Sequence, residues 1–231
     1  MELMKLSNKI LCGFFGFIFI YLTAVFTEIR LTGTPNFINA DNSIDETVNI
    51  PGFAYLVLED IDKNINIIAS ESPQLEVRSL SGDLLKKFKY QVSNDTLRLS
   101  GLLSAKIVAV KITLFVPKNG FKGMTVNKSE ATVKGLQQDH LHISQNAGRI
   151  RMADCKIGKI QMNASSQSSL DISSTSLDTL SAELQGSEVQ LSSSPLKLLK
   201  GSMKQNSSMR VSDIEEIQFK KDESSRLNLY Q

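Results

Sequence analysis

An apolar pair spaced i, i+2 returns through the second half of this chain at nearly constant intervals. The pairs are Ala131/Val133, Ile150/Met152, Leu170/Ile172, Val189/Leu191, Met209/Val211 and Leu227/Leu229, with successive offsets of 19, 20, 19, 20 and 18 residues. A second column keeps the same step: Leu141/Ile143, Ile160/Met162, Leu180/Ala182, Leu199/Gly201 and Ile217/Phe219. Ile157, Leu177, Leu196 and Ile214 form a third column. A small residue stands two positions before each pair of the first column: Ser129, Gly148, Ser168, Ser187, Ser207 and Ser225. By composition alone, the stretch SSQSSLDISSTSLDTLSAELQGSEVQLSSS from Ser165 would pass for a disordered linker. Four columns held in phase exclude that, and a period of this length signals stacked repeats.

Within each repeat the apolar spacing is that of a strand, not of a helix. The residue between each pair then points outward: Arg151, Asp171, Gln190 and Arg210 in one column, His142, Gln161, Ser181 and Lys200 in another. Stacked repeats place like strands about 4.8 Å apart as parallel ladders. Serines fit the corners, where a small side chain suits a tight bend and its hydroxyl can satisfy a backbone group. A left-handed hexapeptide helix would repeat its apolar positions every six residues, and the steps here are uneven. The expected fold is therefore all-β, a right-handed parallel β-helix with rungs of 19–20 residues. Eight or nine rungs at this spacing give a rod of about 40 Å. No rung buries enough apolar surface to fold alone, so stability must come from stacking.

The segment before the repeats is also rich in strands. FAYLVLE from Phe53, INII from Ile65, LEV from Leu75, FKYQV from Phe88, LRL from Leu97 and VAVKITLFVP ending at Pro117 alternate or run apolar. Gly82-Asp83 and Asn94-Asp95 supply turns between them. The β-solenoid domain is expected over residues 53–231.

Ahead of it, ILCGFFGFIFIYLTAVFT from Ile10 to Thr27 carries no charge, with Lys5 and Lys9 before it and Glu28 and Arg30 after. Eighteen residues of helix reach about 27 Å, nearly the hydrocarbon thickness of a bilayer. Residues 10–28 are expected as one transmembrane signal anchor contacting the lipid bilayer, with residues 1–9 cytoplasmic by the positive-inside rule. A cleaved signal peptide is the alternative of similar length, although Leu22 stands where a small residue would precede Ala24 at a cleavage site. Either reading exports the remainder, to the periplasm or the cell exterior. Residues 29–52 hold Gly33, Pro35 and Pro51 among Asn and Asp and read as a tether. Cys12 follows Leu11 and precedes its apolar run, unlike a lipidated cysteine.

The charge balance, 26 Lys and Arg against 24 Asp and Glu, argues against nucleic acid as a partner. Cys12 and Cys155 are the only cysteines, too few for a thiolate metal cluster, and no cofactor is expected.

Together these segments resemble the bacterial head GIN domain family, a group of candidate autotransporter adhesins. The likeness is carried by the strand opening at Phe53, NINII, PQLEV, YQVSNDTLRLS, VKITLFVPKNGFKGMTV and the repeats S-x-A-T-V and SS-L-D-I, spanning about Phe53 to Leu229. The resemblance implies a β-helical exported domain and supplies no catalytic residues.

Asp139-His140-Leu141-His142 brings both histidines together, but Leu141 occupies an inward position, so both imidazoles face solvent and no metal site is expected. The candidate binding face is the outward column Arg151, Asp171, Gln190 and Arg210, suited to a protein or glycan in the envelope. Carbohydrate cleavage would need a cluster of carboxylates or a Lys/Arg base on one face, and here Asp and Arg stand singly, separated by amides. A non-enzymatic binding or scaffolding module is the expected function. A surface adhesin and a carbohydrate-active β-helix enzyme are the alternatives.

Overall fold

The structure is a computed structural model that describes residues 14–24, 43–80, 82–101 and 110–230. It divides into two units, residues 1–37 and 38–231.

In the first unit, residues 14–24 form a helix, α1, whose large apolar side chains are mostly exposed. The Thr23 hydroxyl donates to the Phe19 carbonyl at 2.7 Å within it. Residues 10–13 and 25–28 of the expected anchor lie outside the described residues. Among the described residues, no helix is long and apolar enough to cross a membrane.

The second unit is an all-β parallel solenoid built from two sheets of ten and nine strands around one apolar core. Its regular part comprises six successive turns of two strands each. The turns are β8 (Gly123–Asn127) with β9 (Glu130–Lys134), β10 (Gln137–Asn146) with β11 (Arg149–Ala153), β12 (Lys156–Ser165) with β13 (Ser169–Ser173), β14 (Ser176–Gln185) with β15 (Glu188–Ser192), β16 (Leu196–Lys204) with β17 (Ser208–Ser212), and β18 (Ile214–Lys221) with β19 (Arg226–Tyr230). Even-numbered strands stack in one sheet and odd-numbered strands in the other, all parallel.

The register reproduces the sequence columns. Ile150 and Met152 lie opposite Ala131 and Val133 on one side and opposite Leu170 and Ile172 on the other. Ile160 and Met162 sit between Leu141/Ile143 and Leu180/Ala182, and Leu177 pairs with Ile157 and Leu196. Their side chains are buried, so each column is a stripe of one continuous core.

The corners explain the serines. Ser129, Ser168, Ser187 and Ser207 are buried, and each hydroxyl donates to a carbonyl two or three residues back. Two of these oxygens also accept from a neighbouring rung: Ile61 N–H reaches Ser129 Oγ at 3.0 Å and Ser187 N–H reaches Ser207 Oγ at 3.3 Å. The opposite corner repeats this with Thr175 and Ser194, the Thr175 N–H meeting Ser194 Oγ at 3.1 Å. These contacts satisfy backbone groups that a bend removes from the strand ladders.

The N-terminal third departs from sequential stacking. It comprises β1 (Ile44–Asn49), β2 (Tyr55–Glu59), β3 (Ile65–Ser70), β4 (Gln74–Ser79), β5 (Lys89–Ser93), β6 (Thr96–Ser100) and β7 (Val110–Pro117). Strand β2 lies between β6 and β8, and β3 between β7 and β9, so this rung is intercalated between later ones. Strands β1, β4 and β5 turn antiparallel and close that end. Ile50, Leu84 and Phe88 are buried there.

Two expectations change. Regular sequential stacking covers six turns, and the expected count of eight is reached only with two further parallel levels, β2–β3 and β6–β7, that stand out of chain order. The expected tether at 29–52 contains β1, which pairs with β4 from Ile44↔Ser79 to Asn49↔Gln74. Its Asp45 forms an ion pair with Arg78 at 2.5 Å.

Candidate functional site

The outward column of the odd-numbered sheet runs through Asn66, Thr132, Arg151, Asp171, Gln190, Arg210 and Asn228, each opposite the next. Arg151, Asp171, Gln190 and Arg210 therefore stand on four neighbouring rungs, spanning about 14 Å at the spacing of adjacent strands. Their polar ends project from a backbone pinned on both sides. Arg151 is in register with Asp171, yet its ion pair is with Glu130 of the preceding rung, Nη1 to Oε2 at 3.5 Å. Arg210 reaches back in the same way to Glu188 at 3.6 Å. Both pairs are close to half exposed and so contribute little to stability. The column offers guanidinium donors, a carboxylate and amides at fixed spacing, a set suited to hydrogen-bonding a polar partner.

A second feature lies on the even-numbered sheet. Tyr55, Gly123, His142 and Gln161 follow one another across four strands. Gly123 has a steric cause: a Cβ there would lie 2.6 Å from the His142 carbonyl oxygen. The missing side chain leaves a gap between Tyr55 and His142. The resulting depression, about 350 Å³, is lined by Tyr55, Lys122, His140, His142, Lys159 and Gln161. Backbone bonds fix its rim, Lys122 N–H to Ala54 O at 2.7 Å and His142 N–H to Lys122 O at 2.9 Å.

The histidines flank the buried Leu141 and face outward, as the alternation requires. Across the sheet His140 meets Lys159 and His142 meets Gln161, a cation and an amide in place of further metal ligands. Among the described residues no group of three His, Cys, Asp or Glu side chains is placed to hold a metal ion. The depression is instead a donor-rich surface with a half-exposed phenol at one side. The sequence columns begin after Tyr55 and Lys122, so they could not join these residues to the histidines. The one available signal was Gly123, a glycine in an outward position of the strand opening the repeats.

Cys155 is buried at a corner, where its Sγ–H donates to the Ala153 carbonyl at 3.2 Å. Burial pushes the thiol pKa up, the opposite of what a nucleophilic cysteine needs.

No family model matches this chain, and no curated protein matches it. Solved structures do share the fold. A crystal structure of a candidate adhesin from Bacteroides fragilis aligns with a TM-score of 0.58 at 13% identity, covering 83% of this chain and 98% of that one. A candidate adhesin from Parabacteroides distasonis aligns with a TM-score of 0.54 at 11% identity, covering 84% and 96%. At such identities the likeness is one of fold.

Proposed function

We propose that this chain is an exported, non-enzymatic binding module of the bacterial cell envelope, tethered to the membrane through residues 10–28. Its solenoid presents polar side chains to a protein or glycan partner. The observation that carries this reading is the pair of outward columns held in register on a rigid parallel stack: Arg151, Asp171, Gln190 and Arg210 on one sheet, and the depression from Tyr55 to Lys159 on the other. Side chains fixed by a scaffold lose little freedom on binding, so a modest contact set can still discriminate between partners. Resemblance to the head GIN domain supports an exported β-helical module. The uncharged run from Ile10 to Thr27 supports the tether.

Adhesion to an external surface is the second reading, favoured by the fold shared with candidate adhesins. Protease accessibility separates the two. The solenoid is expected to resist protease added to intact cells and to be digested once the outer envelope is opened. Digestion in intact cells would move the module to the surface and establish the adhesin reading in its place.

A further inference from the structure

The two ends of the solenoid differ. At the first end, antiparallel strands and buried Ile50, Leu84 and Phe88 close the core. At the other, β18 and β19 are the terminal strands of the two sheets, and among the described residues no strand pairs with their outer edges. At the middle of each strand the inward positions are apolar yet open: Ile217 is 38% exposed and Leu229 is 51% exposed, beside half-buried Phe219 and Leu227, while Lys221 ends the inward column of Leu184 and Met203.

We propose that a second copy of this chain docks on this rung, with β18 against β18 and β19 against β19, both antiparallel. The two-fold axis would run along the sheet normal through Gln218 and Asn228. Rotation about such an axis keeps each strand in its own sheet while reversing its direction, so one operation pairs both edges. The sequence of β18, IEEIQFKK, is self-complementary about Gln218. Glu216 falls opposite Lys220 of the copy, and Ile217 opposite Phe219. Glu215, at the break between the bridged pairs Leu196↔Ile214 and Leu198↔Glu216, and Lys221 bring the same signs to the same two ends. In β19, centring on Asn228 sets Leu227 opposite Leu229 and Arg226 opposite Tyr230. The inward apolar residues of the two copies then join into one core.

Backbone valence agrees with this register. Asp222 N–H donates to Met203 O at 3.2 Å, and Arg226 N–H to Ser207 O at 2.9 Å. Because alternate residues of a strand bond to opposite sides, the groups of Ile217, Phe219, Leu227 and Leu229 face the open edge. In the proposed register these are the residues that exchange bonds with the copy, while Gln218 and Asn228 form the non-hydrogen-bonded pairs on the axis.

Other arrangements fit less well. Parallel pairing of two β18 strands would align Glu with Glu and Lys with Lys, which is destabilising. Head-to-tail stacking would set β18 and β19 against β5 and β1. In β1, Asp45 is engaged by Arg78, and Glu46 accepts the Leu84 N–H at 2.8 Å. Such a contact also would not close, whereas the two-fold contact stops at two copies.

The test uses the full chain in detergent micelles, with protein mass measured by light scattering over a range of concentrations. The wild type is expected as a dimer. The variants E215K/E216K and K220E/K221E each place like charges opposite one another and should associate roughly tenfold or more weakly. Mixed together they are complementary again, and the mixture should return to dimer. In a Cys12→Ser background, Gln218→Cys should cross-link to its own copy under mild oxidation. A monomeric wild type, chains that grow beyond two, charge variants as dimeric as wild type, or a Gln218→Cys variant that forms no cross-link would each overturn the proposal.

Discussion

At the residue scale the corners carry the strain of the fold. Lys128, Ala147, Gln167 and Asn206 precede the small corner residues and hold left-handed φ values, with Ala147 at φ 50. An L-residue in that region costs about 1–2 kcal/mol, and glycine returns part of that gain through its freer unfolded state. Ala147 is exposed, and its backbone N–H bond to Ser165 O is kept in any variant. Ala147→Gly is therefore expected to stabilise the solenoid by about 0.5–1 kcal/mol, read as a rise in the thermal midpoint; a fall would contradict the strain argument. Gln145 shows a local substitution of another kind. Where the corner column has Gly148 and no hydroxyl, the buried Gln145 amide donates to Gly148 O and Ser169 O, each at 2.8 Å. Columns of apolar residues revealed inward and outward positions, but a polar residue turned inward is invisible to them. Tyr55 and Lys122 stayed hidden for a related reason, since the gap at Gly123 exists only once β2 lies beside β8.

At the scale of the element, each strand of the repeat was legible because its burial obeys a period of two and its partner sits one step away. Ile150, Leu170 and Val189 could be placed opposite one another from numbering alone, and the register agrees. In β1, IDETVN, no residue is fully buried, and its partner lies some thirty residues on, so no local pattern announces it. The last corner adds a titratable stitch. The Ser225 hydroxyl beside Asp222, although outside good hydrogen-bond geometry, favours the charged carboxylate. So do the Gln205 N–H and Ser224 Oγ, each at 2.9 Å, and together they lower its pKa to about 2. A carboxyl whose folded pKa is depressed contributes stability that is complete above its ordinary value near 4 and is lost as pH falls through about 2. Asp222→Asn should lack this contribution. Hydrogen exchange at the Gln205 amide is thus expected to be faster in the variant than in wild type at pH 5. After correction for intrinsic exchange, the difference should close as pH approaches 2. A difference independent of pH would remove Asp222 from the account.

For the whole molecule, the order of rungs in space is not their order in the chain, and that sets which parts can be spared. In an ordinary repeat array each unit leans only on its sequence neighbours, and terminal units can be removed one by one. Here β18 and β19 conform to that rule, touching only the rung before them. The β2–β3 rung does not: it is bonded on both sides by strands made later, and Leu56, Leu58, Ile65 and Ile67 are fully buried in it. Without it, β6–β7 and the regular stack have no shared surface, and the antiparallel cap is cut off from the repeats. A chain ending at residue 213 is therefore expected to keep its β-sheet circular dichroism and one cooperative melting transition. Its midpoint should fall by about 2–4 °C for each kcal/mol of rung stability removed. A chain lacking residues 53–70 is shorter by a similar length but should lose the cooperative transition altogether. If the two deletions melted alike, the intercalated rung would be as dispensable as the last one, and the solenoid would behave as a simple sequential stack.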